Sequence, residues 1–260
     1  MMDKVRTRRF TISSLLPETK ELLLYFDVAP TRERTFLINS CIADLIDSLI
    51  WSQLDFLPVM ASHSELSALV DWKNPYRSMV RVNAPTFTTD RGFLFNGTSQ
   101  YLRTGFNPST ASKYTLNLNT FGFYSRTNSN VAGVDIGSFN GVSSRGDTLH
   151  ARQSGNFISR NNSSSQGVVA NSDSLALHVS KRIDSASIEL WKRNVKLSTA
   201  AVASVAVENL EFYSGALNVS AVASNFSARE HAYNFAGGDI NIIDFNSIME
   251  TYLTAIGANV

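Results

Sequence analysis

Ser187-Ile188-Glu189-Leu190-Trp191-Lys192 alternates apolar and polar residues and then runs into Arg193-Asn194. Successive side chains of a strand leave opposite faces, so Ile188 and Leu190 fall on one side and Glu189 on the other. One apolar face and one polar face mark a strand that is buried on one side only. Arg193-Asn194 stands where a tight turn needs positive φ, a conformation that Asn tolerates.

The same texture extends on both sides of this segment. Beyond Trp72 the chain becomes rich in Gly, Asn, Ser and Thr, and turn signals recur at intervals of roughly 8–12 residues, as they do between short antiparallel strands. Candidate strands fall at 79–82, 92–95, 101–104, 115–125, 131–137, 148–152, 156–159, 174–182, 187–192 and 210–215. Asn96-Gly97 and Asn140-Gly141 supply further tight turns. Many short strands with such turns predict a mainly β fold, an antiparallel β-sandwich or jelly roll, over an α/β sheet.

Both ends of the chain change period. Leu37, Ile38, Cys41, Ile42, Leu45, Ile46, Leu49 and Ile50 recur at three- and four-residue steps, which places them on one helical face. Thr31 is positioned to cap that helix, and a shorter helix opened by Pro17 precedes it. From Ser64 to Trp72 a helical turn capped by Ser64 would turn Leu66, Leu69 and Val70 inward. Near the other end, Phe245, Ile248, Met249, Tyr252, Leu253 and Ile256 form a second stripe. Asp244 or Asp239 is expected to cap this helix, and Gly257 to end it. The reading divides the chain into an N-terminal arm and helical segment (1–72), a β-sandwich (73–236) and a C-terminal helix (237–260) that packs on the sandwich or on a neighbour.

Composition narrows the function classes. Hydrophobic residues make up 43% of the 260 and charged ones 17%, with a net charge of +1. That balance describes a folded globular chain with no bulk field to recruit nucleic acid or an anionic membrane. Lys4, Arg6, Arg8 and Arg9 form a basic N-terminal arm, which reads as a solvated tail that orders inside an assembly rather than as a nucleic-acid site. The single cysteine, Cys41, excludes an intramolecular disulfide and cysteine-pair zinc sites, and its apolar neighbours place it in a core. The sequence contains no run of the length needed to span a membrane.

The residues do not assemble a catalytic motif. A glycosidase needs two carboxylates facing one cleft, whereas Glu189, Glu208 and Glu211 are isolated. His63, His150, His178 and His231 are scattered without metal-ligand spacing, and no G-x-S-x-G elbow or phosphate loop occurs. No catalytic residue, metal or cofactor is assigned. Aromatic side chains that could stack on sugar rings in a lectin-like domain are Tyr101, Tyr124, Trp191 and Tyr213.

Three phrases carry a resemblance. In order they are FLINSCIADLIDSLIWSQLDFLPVMASHSELSALVDW (36–72), APTFTTDRGFLFNGTSQYLRTGFNPST (84–110) and IMETYLTAIGANV (248–260). Together they resemble a family of uncharacterised phage and prophage virion structural proteins. In that family a helical lead-in ending in tryptophan precedes a concanavalin A/laminin-G-like jelly roll and a closing helix. Here Asn96 replaces an acid, and Arg103 stands where an aspartate is common.

The resemblance implies a bacteriophage virion protein, assembled in the host cytoplasm, that decorates a capsid, collar, tail or fibre. It would act by docking onto other virion proteins as an oligomer or in many copies of a symmetric particle. The alternative is a receptor-recognition lectin that binds a host-surface glycan, and a polysaccharide depolymerase ranks third. Docking needs only surfaces, whereas the other two need residue constellations.

Overall fold

The computed structural model describes residues 15–141 and 145–257. The arm residues Lys4, Arg6, Arg8 and Arg9 lie outside them. With strands and helices numbered along the chain, the described residues form seventeen strands and three α-helices. The strands make two sheets that face each other.

The first sheet runs in the order β13 (Val195–Ala201), β12 (Ser187–Lys192), β11 (Ala176–Arg182), β6 (Asn119–Ser125), β17 (Glu230–Gly237), β4 (Gly92–Leu94) and β3 (Thr86–Thr88), with β1 (Leu54–Phe56) also on β17. The second runs β10 (Gly167–Ala170), β9 (Asn156–Ser163), β8 (Arg145–Gln153), β7 (Ile136–Asn140), β14 (Tyr213–Ser214), β5 (Tyr101–Arg103) and β2 (Val80–Val82). A hairpin of β15 (Leu217–Val219) and β16 (Val222–Ser224) joins it at β7. All pairings between these strands are antiparallel except β15 with β7. This is the β-sandwich that the alternating segments imply.

Alternation sets the layers. Phe121 and Phe123 of β6, with Ile188 and Leu190 of β12, point between the sheets against Leu102, Ile136, Leu149 and Phe157 of the second sheet. Each ring or branched chain removed from water there contributes about 1.5–3 kcal/mol. Tyr124, Leu177, Val179, Tyr233 and Phe235 leave the opposite face of the first sheet and meet Ile38, Ile42, Leu45, Phe245, Met249 and Leu253 of the helices. The molecule therefore has three layers, helices on one sheet and that sheet on the other.

Helix α1 (Pro17–Leu23) has Pro in its first turn, and α2 (Arg32–Asp47) is capped by Thr31, whose Oγ1 accepts from the Arg34 N–H at 3.2 Å. Cys41 is buried on α2 beside Met249, and burial pushes its thiol upward. Helix α3 (Ile242–Ala255) packs its stripe on the sandwich and on α2, and Gly257 follows its end at φ +73. Its cap is Asn241, whose Oδ1 accepts from the N–H groups of Ile243 and Asp244 at 3.1 and 3.3 Å. Asp244 thus lies within the first turn, and Asp239 is instead paired with Lys181.

Several expected boundaries move. Residues 115–118 form a turn closed by Thr115 N–H to the Leu118 carbonyl, so β6 starts at Asn119. Strand β7 starts at Ile136 rather than at 131, and β14 keeps only Tyr213 and Ser214 of the segment 210–215. Leu66 is exposed, while Leu69 and Val70 point inward as expected. Strand β17, central to the first sheet, has no alternation to reveal it, because all eight of its residues are buried.

Candidate functional site

The outer face of the second sheet, away from the helices, carries the candidate site. In β5, Leu102 is buried between the sheets, so Tyr101 and Arg103 project from the opposite face. Strand β14 lies between β5 and β7 and sets Tyr213 opposite both Arg103 and Gly137. Position 137 requires glycine: its φ is +154, and a Cβ there would sit 2.0 Å from the Asp147 carbonyl oxygen. Sheet register thus brings the Tyr101 and Tyr213 rings to 4.8 Å between centroids, tilted by 34°, with Phe226 6.1 Å from Tyr101.

A groove of about 570 Å³ opens over these rings, rimmed by residues 209–211 and by Asn218 and Ala221 of the β15–β16 hairpin. Its volume lies within the ~300–1,000 Å³ of small-molecule sites. Arg103 donates from Nε to Glu211 Oε1 at 2.8 Å, with Nη2 2.7 Å from the same oxygen. Glu211 Oε2 accepts from the Gly105 N–H at 2.9 Å, so the carboxylate is held from both sides. Asn209 Oδ1 accepts from Asn107 Nδ2 and Ser109 Oγ, both at 2.8 Å, which fixes its amide on the rim. Asn218 donates to the Glu211 carbonyl and accepts from the Ala221 N–H, which ties the hairpin to the rim.

Charge at the groove is balanced. Hydrogen bonding to Glu211 raises the already high pKa of Arg103, so the guanidinium is a permanent cation. Burial, and then the Glu211 carboxylate, raise the Tyr213 phenol, which stays protonated and can donate. The arrangement offers a flat aromatic surface beside hydroxyl, amide and guanidinium groups. Such a surface can bind a polyhydroxylated molecule by stacking and hydrogen bonding. Among the lining residues Glu211 is the single carboxylate, so the groove lacks the second acid of a two-carboxylate hydrolysis.

The sequence singled out four aromatic residues, and the sheets bring two of them together. Tyr124 is fully buried beneath the helical layer and presents no ring surface to solvent. Trp191 lies on that same side of the first sheet, where Nε1 donates to Glu189 Oε2 at 2.8 Å and Lys196 bonds Glu189 Oε1 at 2.9 Å. Arg103, Asn209, Glu211 and Asn218 complete the groove; in the sequence Arg103 stands out only as a departure from the family pattern and Glu211 only as an isolated acid, and neither is placed in a site. They come from distant segments, and only the pairing of β5 with β14 assembles them.

A second constellation has the order of a hydrolase triad. Ser214 Oγ lies 3.1 Å from His231 Nδ1, and His231 Nε2 lies 3.5 Å from Asp135 Oδ1. All three side chains are fully buried, and Asp135 is clamped by Arg229 Nη1 at 3.0 and 3.2 Å. A nucleophile needs access to its substrate, which this hydroxyl lacks. Among the described residues no group of three or more His, Cys, Asp and Glu side chains gathers as a metal site.

No family model and no curated protein matches the chain. Solved structures do. The binding domain of botulinum neurotoxin serotype D superposes with a TM-score of 0.52 at 10% identity over 78% of this chain. This chain spans about half of that one, 52%. Domain 4 of an extracellular arabinanase from Geobacillus stearothermophilus, in complex with arabinotriose, gives 0.49 at 10% identity over 75% of this chain and 98% of that one. A CBM40 domain of a Ruminococcus gnavus sialidase, bound to sialyllactose, gives 0.40 at 11% identity over 52% and 83%. At 10% identity the likeness to the toxin binding domain concerns the fold alone, a β-sandwich that it shares with this chain.

Proposed function

We propose that this chain is a glycan-binding domain that holds its ligand in the groove over β5 and β14. The observation that carries this reading is the contact between Tyr101 and Tyr213 beneath an open groove rimmed by fixed polar groups. Tyr101 keeps part of its ring exposed, while Tyr213 is almost wholly covered and supports it from below. A sugar ring has an apolar face of C–H groups and an equator of hydroxyls. The first can stack on Tyr101, and the second can reach Arg103, Asn209 and the phenol groups.

Removing a central aromatic anchor typically costs about 2 kcal/mol or more, roughly a thirtyfold loss of affinity. Tyr101→Ala is therefore expected to weaken glycan binding by that order, with the circular dichroism spectrum unchanged. Calorimetric titration with an oligosaccharide selected on an array checks this. Unchanged affinity in a folded variant would remove the groove from consideration.

Attachment within a phage particle is a second reading, supported by the resemblance of the three sequence phrases and by one surface. Leu24, Val28, Leu66 and Tyr76 are 81%, 52%, 49% and 75% exposed, and the rings of Tyr25 and Tyr76 meet at 5.1 Å. Asp27 accepts hydrogen bonds from Ser64 and Ser67, which joins the segment after α1 to the connector before β2. Exposed apolar side chains gathered in one region suit docking. The expected result is density for several symmetry-related copies in intact particles, with this region covered; particles that lack the chain would contradict it. A virion address and glycan recognition are compatible.

A further inference from the structure

We propose that the groove selects neutral glycans over acidic ones, because its one cation is already matched by its one anion. The inference rests on the glycan-binding reading and adds the ligand class. Arg103 and Glu211 are the charged side chains lining the groove, and they are bound to each other at 2.7–2.8 Å. The carboxylate cannot swing away, because its other oxygen is held by the Gly105 N–H at 2.9 Å. A sugar carboxylate that approached the guanidinium would meet this fixed negative charge a few ångströms away and lose most of the attraction.

Neutral hydroxyls face no such conflict. The guanidinium has five N–H donors, and the Glu211 contacts engage two of its nitrogens, Nε and Nη2. Asn209 uses its oxygen within the protein, which leaves its NH₂ to donate toward a ligand. With the two phenol groups, the groove offers donors for hydroxyl oxygens and acceptors for hydroxyl protons. Its side-chain inventory matches a neutral oligosaccharide.

The test uses the full chain, a glycan array, and titrations with maltotriose and arabinotriose as neutral probes and with sialyllactose and trigalacturonic acid as acidic ones. Binding confined to neutral probes is expected, and raising the salt by about tenfold should leave it nearly unchanged, since no net charge is neutralised. Glu211→Gln frees the guanidinium and is expected to raise affinity for the acidic probes by at least about tenfold, a gain typical of a newly uncompensated charge. Salt insensitivity of the wild-type chain supplies an independent readout should that variant fold poorly.

Wild-type preference for acidic probes, lost in Tyr101→Ala, would overturn the selectivity while leaving the groove as the glycan site. Binding of either class that Tyr101→Ala leaves intact, or no binding to any glycan, would overturn the site and the selectivity together.

Discussion

Asp135→Ala is expected to lower the unfolding free energy by about 3–5 kcal/mol, the usual cost of leaving one member of a buried ion pair without its partner. Asp135, Arg229 and His231 have no exposed side-chain surface. Asp135 opens the path into β7 of the second sheet, and Arg229 lies just before β17 of the first. Arg229 reaches both carboxylate oxygens at 3.0 and 3.2 Å, and Ser227 Oγ and the Ala151 N–H add bonds of 2.6 and 2.7 Å. Burial alone would raise the carboxyl, but Arg229, then His231 and the Ala151 N–H, outweigh it and hold the group well below the ordinary carboxylate range.

The pair therefore ties the two sheets together. Its loss would also reach the groove, because Ser214, the neighbour of Tyr213, bonds His231. Urea denaturation followed by tryptophan fluorescence measures the cost. The double variant Asp135→Ala/Arg229→Met is expected to be less damaged than Asp135→Ala alone, since it leaves no unpaired charge. A loss below about 1 kcal/mol, the size of an ordinary surface substitution or a little more, would contradict the staple.

Asp147→Asn is expected to stabilise the protein above about pH 7 by up to about 4 kcal/mol and to be neutral near pH 4. Asp147 is fully buried on β8. Its Oδ1 accepts from Tyr114 Oη at 2.8 Å and from the Asn162 N–H at 2.6 Å, while Oδ2 is buried without a partner. Burial is the main cause that pushes its pKa from 3.8 up to about 7; the two hydrogen bonds oppose it, and the nearby Glu208 adds to it. A folded-state pKa above the unfolded value gives stability that is complete below the unfolded pKa and lost as pH rises through the folded one.

Asparagine keeps the Oδ1 acceptor and never ionises, so it escapes that loss. His150, His178 and His231 titrate with the opposite sign: burial lowers each, His178 to about 4, so their contribution falls as the pH drops below their ordinary value. They are common to both proteins and cancel in the comparison. Thermal unfolding of the two chains across the pH range separates the outcomes. A variant less stable at neutral pH, with the deficit vanishing in acid, would mean that Asp147 is ionised and stabilised by the nearby Arg182.

Local pattern explains what was legible in the sequence. Helices α2 and α3 each have a single apolar stripe, and β12 alternates cleanly because only Ile188 and Leu190 enter the inter-sheet core. Strand β17 reads Glu-His-Ala-Tyr-Asn-Phe-Ala-Gly, with Tyr233 and Phe235 set among charged, amide and small residues and all eight covered, so no apolar–polar period announces it. Asn241 could not be told from Asp239 or Asp244 as the α3 cap until the backbone fixed which side chain reaches the free N–H groups.

The candidate groove was half legible for the same reason. Tyr101 and Tyr213 stand out as aromatic residues on short strands, but so do Tyr124 and Trp191, and nothing local tells which faces the helices cover. Tyr124 is hidden because β6 lies under α2 and α3, a fact of tertiary packing. The Arg103–Glu211 pair spans more than a hundred positions and exists only because β5 and β14 are neighbours.

Nuclear magnetic resonance mapping of the labelled full chain, titrated with the tightest oligosaccharide found on an array, tests glycan recognition at this groove most directly. The expected result is a set of saturable shifts centred on Tyr101, Arg103, Asn209 and Tyr213. Shifts centred instead on the helical side around Trp191, or the lack of any oligosaccharide that binds, would contradict it.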